Sequence, residues 1–333
     1  MTHLFKLKAI DTAVVLRAVA ICLVAFNHAN PDAPKFLGFS LDGGMNVLLM
    51  ISGYYFAKLV LTAPTTAQMR QQLIRYGASF IIPSFLMVLF FFAMLRRFDL
   101  QELLFYKNFF SAERVSKYPT WYPQVMLQIL LIIYALSFIP GLGAIGRRLQ
   151  PYWVLGVFAV FAAIRLVLPQ YIDTAPLLHH LPHLQFWNFC LGWCFYFVSD
   201  PSGSPLRARL AMAAVALVSI FAIFGPNVLV AYTLSIGSLL FLFVKRISLP
   251  AIAHKTVSIV AAASFNIFLW HRFFYEIYER LAHLKTPQGG IGMWVFGVGL
   301  SIVVWSLWEG LEKTWNRIRS VSDQVSQMKP AAV

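Results

Sequence analysis

Ten apolar stretches, each long enough to cross a lipid bilayer, divide this chain. They fall at 12–30, 44–62, 74–95, 120–139, 152–169, 183–198, 208–224, 228–244, 257–275 and 291–310. A helix needs about 17–25 apolar residues to span the hydrocarbon core. Composition closes the argument. With 59% hydrophobic residues, 12% charged and a mean hydropathy of +0.70, a 333-residue chain lacks the charge to cover a soluble surface. The expected fold is therefore an all-α integral membrane bundle of about ten transmembrane helices. Residues 1–320 form one transmembrane domain, and 321–333 a short tail. Gly225–Pro226–Asn227 is a tight turn that makes a helical hairpin of the seventh and eighth stretches. Lys6 and Lys8 ahead of an apolar run resemble a leader peptide. However, Arg17 interrupts that run and no small-residue cleavage pattern follows, which reads as a retained first span.

The charge is lopsided, with 27 basic against 13 acidic residues. Placing the connections on alternate sides puts sixteen Lys and Arg on the side of the N-terminus and nine on the other, with Arg17 and Arg165 inside spans. Basic residues gather on the cytoplasmic face, so both termini are expected in the cytoplasm, as an even number of spans requires. The excess of base is thereby explained without nucleic acid, for which there is no Lys/Arg-rich run, no zinc-finger spacing and no aromatic platform. Cys22, Cys190 and Cys194 all lie in apolar stretches and suit packing better than a disulfide. Among His179, His180 and His183, Pro182 breaks the helix that would align ligands and no acid or cysteine joins them, so no metal site is expected.

Polar residues inside spans are costly, and they mark where chemistry could run. Arg17 lies near the start of the first span, and His28 lies eleven residues, roughly 16 Å, further along. Eleven steps of about 100° bring both onto one face. Singly, either is an ordinary interfacial residue. Together, with Asn27 and Asn30 beside His28, they read as the wall of a polar channel. Histidine can take a proton from a hydroxyl near neutral pH and return it to a leaving group. Of the acids near His28, Asp32 and Asp42 lie on the matching side of the membrane. Ser52–Gly53 allows close helix approach in the second span. Arg70 and Arg75 flank the start of the third, as positive-inside anchors or as a grip on phosphates. Trp121 and Tyr122 read as an aromatic belt, and His271 as a solvated residue at the outer interface.

These residues, in this order, resemble the membrane acyltransferase-3 family of bacterial cell-envelope acyltransferases. Arg17 to Ile21 with His28 resembles the family's first-helix arginine and histidine, spacing included. Leu49-Met50-Ile51-Ser52-Gly53-Tyr54 resembles its second-helix Ser-Gly motif, and Leu181 to Gly192 the opening of its sixth helix. Ser264 to His271 resembles its Ser-Tyr-x-x-Tyr-Leu-x-His motif, with Phe265 and Phe268 at the tyrosine positions. The resemblance implies an O-acyltransferase of the bacterial inner membrane. It would move an acyl group, commonly acetyl, from cytoplasmic acyl-CoA to a hydroxyl of an extracytoplasmic glycan such as lipopolysaccharide O-antigen. On that scheme His28 is the catalytic base, Arg17 holds the donor or stabilises developing charge, and Ser52, Arg70 and Arg75 lie on the acyl-CoA side. Asn27, Trp121 and His271 are the candidates for acceptor contact. The chain departs from the family in having no basic residue from Tyr76 to Ile82. The competing function is a transporter or flippase of an envelope precursor, which would use Arg17 and His28 as a translocation path.

Overall fold

The structure is a computed structural model that describes residues 7–29, 42–96, 98–109, 120–142, 152–171, 181–199, 205–226, 228–282 and 290–327. The long elements, in chain order, are β1 (Leu7–Asp11), α1 (Thr12–Ala29) and α2 (Gly44–Phe56), which a π-helical turn at Ala57–Leu61 extends. Next come α3 (Thr66–Leu95), α4 (Trp121–Leu136), α5 (Tyr152–Tyr171) and α6 (Pro182–Val198). The chain continues with α7 (Leu206–Phe224), α8 (Leu229–Phe243), β2 (Arg246–Pro250), α9 (Ala251–Leu281) and α10 (Gly290–Gln327). Every apolar stretch in the sequence coincides with one of these helices. Among the described residues, seven helical segments are long and apolar enough to cross a membrane: α1, α2 with its π turn, α3, α5, α7, α9 and Gly290–Trp315 of α10. α4 and α8 are shorter apolar helices. The sixteen residues of α4 reach about 24 Å, less than a bilayer core. α10 continues through Gln327, into the segment read as a tail.

The burial pattern is that of a multi-pass membrane protein. Ile82, Phe85, Leu86, Leu89 and Phe90 turn outward from α3, while Ser84, Gln185, Asn188, Ser238, Ser264 and His271 are buried. Lipid tails accept an apolar surface, so the polar groups gather in the interior, where other helices can satisfy them.

At the centre, α2 packs on α6 and on α1, α1 packs on α9, and α9 on α10. Glycine sets the closest of these crossings. A Cβ at Gly53 would collide with the carbonyl of Phe189, and a Cβ at Gly192 with the carbonyl of Met50. The α2 and α6 backbones therefore touch directly, as the Ser52–Gly53 pair implied. Asn188 Nδ2 donates to the Asn46 carbonyl across the same crossing at 2.8 Å. Pro182 occupies the first turn of α6, where its missing N–H is no loss. It starts the helix that carries His183; His179 and His180 lie outside the described residues.

The apolar pattern predicts helices alone, yet β1 and β2 pair antiparallel, with Leu7 opposite Pro250 and Asp11 opposite Arg246. The Thr12 amide adds a bond to the Lys245 carbonyl at 3.1 Å. This ribbon ties the N-terminal segment to the α8–α9 connection, so α1 and α9 leave the same end of the bundle.

Candidate active site

α1 and α9 run parallel, and two side-chain contacts join them in register. Near the ribbon end, Arg17 Nε donates to Ser264 Oγ at 2.7 Å. Further along, His28 Nδ1 and His271 Nε2 lie 2.7 Å apart with their ring planes within 3° of parallel. Arg17 and His28 thus share the α1 face that looks onto α9, as their eleven-residue spacing requires. On α9, Ser264 and His271 are seven residues apart, two turns, and so also share a face.

The histidine pair continues into the backbone, because His271 Nδ1 lies 2.7 Å from the Ile267 carbonyl. That carbonyl can only accept, so Nδ1 of His271 carries the proton and Nε2 of the neutral ring accepts. His28 Nδ1 must then be the donor. This hydrogen-bond assignment leaves the lone pair of His28 on Nε2. His271 is fully buried and also meets the Tyr275 ring edge-on at 5.5 Å, while Tyr275 donates its hydroxyl to the Ala25 carbonyl at 2.8 Å. The expectation of a solvated interfacial His271 is corrected: α1 and α9 pack tightly enough to enclose it. Among the described residues, the group that orients His28 is this histidine. Asp42 accepts from the Gly43 amide at 2.7 Å, and Asp32 lies outside the described residues.

Below the histidines lies a cavity of about 300 Å³ whose polar lining is Arg17, Ser52, Tyr55, Tyr76, Ser79, Tyr122 and Ser264. Ser52 Oγ is 2.9 Å from the Tyr122 hydroxyl, and Tyr76 donates its hydroxyl to the Ser52 carbonyl at 2.9 Å. Phe268 closes the wall toward the histidines, with its ring centroid 6.3 Å from that of His271. Tyr122 is buried here and does not form the interfacial belt predicted for it. The Tyr122–Ser52 contact places the first turn of α4 level with the middle of α2 and its π turn. The hydroxyls of Tyr76 and Tyr122 are the polar residues that sequence reasoning missed. Tyr76 and Ser79, three residues apart, do break the apolar start of the third span, which is the signal that could have raised them.

The remaining candidates lie apart from this cavity. Arg70 Nε donates to Ser137 Oγ at 3.0 Å and Nη2 to the Ser137 carbonyl, and its guanidinium stacks 3.8 Å over the Phe138 ring. It ties α3 to the end of α4. Arg75 is exposed, and neither arginine lines the cavity. Asn27 is half-buried beside His28 on α1, and Trp121, also half-buried, meets Tyr122 edge-on at 6.2 Å. The structure therefore lines one cavity with Arg17 and Ser52, sets the His28–His271 pair beyond its Phe268 wall, and leaves Arg70 and Arg75 outside it.

In comparison with known proteins, the family model described as an acyltransferase domain matches residues 8–308, from β1 to well into α10. No curated protein and no solved structure matches the chain.

Proposed function

The chain belongs to the acyltransferase-3 family, and on that premise we propose that it is an O-acyltransferase of the bacterial inner membrane. It takes an acyl group, acetyl being the simplest, from cytoplasmic acyl-CoA and places it on a hydroxyl of an extracytoplasmic glycan. Residues 1–320 act as one transmembrane unit with both termini in the cytoplasm. The observation that carries this reading is the chain His28–His271–Ile267 carbonyl, standing beyond the Phe268 wall of a cavity that Arg17, Ser52 and Ser264 line.

The roles follow from the geometry. His28 Nε2, the basic nitrogen left by the tautomer above, takes the proton of the acceptor hydroxyl as its oxygen bonds to the thioester carbonyl carbon. When the tetrahedral intermediate collapses, the carbon–sulfur bond breaks and the same proton goes from His28 to the departing sulfur. His271 touches neither reactant. It fixes the tautomer and ring plane of His28, as the orienting partner of a catalytic histidine does elsewhere, and so is a positioning residue. Arg17 reaches toward Ser264 and lies about 16 Å from His28 along the axis, a distance that suits holding the donor better than meeting an oxyanion formed beside His28. The Ser52–Tyr122 pair gives the thin acyl-bearing arm a polar wall. Asn27 and Trp121 are placed for acceptor contact, beside His28 and next to Tyr122.

The test uses the purified chain in proteoliposomes with labelled acetyl-CoA outside and an envelope glycan within. Transfer of label to the glycan, lost in His28→Ala and in Arg17→Ala, is the expected result. Transfer that survives both substitutions, or glycan movement with no acyl transfer, would overturn the proposal; the second outcome would identify a transporter.

A further inference from the structure

A second cavity, about 620 Å³, opens at the ribbon end of the bundle between β1, α1 and the first turns of α9. Its polar lining is Asp11, Arg17, Tyr55, Arg246, His254 and Ser258. Arg17 and Tyr55 also line the inner cavity at Ser52, so the two spaces meet across these side chains. The lining is predominantly basic, with two arginines and a histidine against one carboxylate. That carboxylate is already engaged: Arg246 Nε lies 3.3 Å from Asp11 Oδ1 in an exposed pair. The contact runs through Nε, which leaves the terminal nitrogens of the guanidinium to bond a second anion. The β1–β2 pairing holds Asp11 opposite Arg246, so the guanidinium is anchored at the rim of the cavity.

We propose that this vestibule, through Arg246 and His254, is the site that takes the phosphate-bearing head of the acyl donor. The inference rests on the acyl-donor reading above and deepens it. The charged head stops at the rim, where water still reaches it. The uncharged arm passes Arg17 and Tyr55 into the inner cavity. Arg70 and Arg75 have no part in this contact, since one is spent on Ser137 and Phe138 and neither borders the route.

The experiment measures steady-state transfer by the full chain in nanodiscs with two donors, acetyl-CoA and S-acetylpantetheine, the second of which carries no phosphate. Arg246→Ala and His254→Ala are expected to raise KM for acetyl-CoA about threefold to tenfold, the scale of one hydrogen bond made at a solvated rim. KM for S-acetylpantetheine should stay the same, and so should kcat. Asp11→Asn removes a competing carboxylate and should lower KM for acetyl-CoA. Three outcomes overturn the inference while leaving the acyl-donor reading intact: unchanged discrimination between the donors in Arg246→Ala and His254→Ala, KM shifts of the same sign in Arg246→Ala and Asp11→Asn, or loss of both donors alike. A wild-type chain that turns over neither donor would instead sink the reading itself, and the inference with it.

Discussion

At the scale of single residues, the site turns on a proton position. The Ile267 carbonyl accepts from His271, His271 accepts from His28, and the order cannot be reversed without placing two donors or two acceptors face to face. Replacing His28 by alanine should lower kcat by about 10²- to 10⁴-fold, the usual worth of general acid–base catalysis, without loss of folded protein. His271→Ala should cost about tenfold, the worth of one hydrogen bond to a group that becomes charged in the reaction. His271→Gln keeps an acceptor oxygen and should restore part of that rate. A purely structural histidine would show its loss in the amount of folded protein instead, which size-exclusion chromatography of the detergent-solubilised variants separates from kcat. Tyr122→Phe keeps the ring packed on Phe268 and removes only the hydroxyl beside Ser52. A several-fold effect on KM for the donor, near 1 kcal/mol, is expected from donor-dependent rates.

At the scale of elements, two joints hold the site helices in place. The crossing of α2 and α6 depends on having no side chain at Gly53 or Gly192. Gly53→Ala or Gly192→Ala should destabilise by about 1–3 kcal/mol or more, because backbone carbonyls face the new methyl and cannot swing aside. Gly299→Ala, which meets open space, is the matched control. Thermal unfolding followed by tryptophan fluorescence distinguishes them, and equal melting temperatures for all three would refute the backbone contact. The second joint is the segment before α4. Asp99 caps a single helical turn at Leu100–Leu103, accepting from the Gln101 and Glu102 amides, and pairs with Lys107 at 2.7 Å, while Lys107 also approaches Glu102 at 3.5 Å. Thr120 Oγ1, at the start of α4, donates to Glu102 at 3.3 Å. Burial works to raise the Asp99 carboxyl, but the Lys107 hydrogen bond and charge, with the two amides, outweigh it and hold the group below its ordinary value. A depressed carboxylate contributes stability that is complete above the ordinary carboxylate range and is lost as pH falls through the lowered folded value. Wild-type stability should therefore decline on acidification in that window, and Asp99→Asn should flatten the decline. The same pH series of unfolding curves measures both.

At the scale of the whole molecule, the ribbon decides which segments share a side. Cysteines placed at Lys8 and Leu249, opposite each other in β1 and β2, should react together with a membrane-impermeant thiol reagent. In a chain whose termini are cytoplasmic, they should react in inverted vesicles and be protected in right-side-out ones. Opposite labelling of the two positions would break the ribbon, and labelling of both only in right-side-out vesicles would reverse the proposed orientation. The native cysteines, all within helices and two of them buried, give little background. The sequence alone was enough for the all-helical membrane class and the place of every long helix, because lipid demands long apolar segments and their length is written locally. It was also enough to put Arg17 and His28 on one face, since helical periodicity is a property of one element, and to mark Gly53 as a close approach. Tertiary structure alone decided that His271 is buried against His28, that Tyr122 and Tyr76 turn inward to Ser52, that Arg70 is spent on the end of α4, and that two strands some 240 residues apart close the ribbon end. Each of these is a contact between elements far apart in the chain. A span that is apolar in sequence does not say which of its faces meets lipid and which meets another helix, so only the packed bundle could pair Arg17 with Ser264 and His28 with His271.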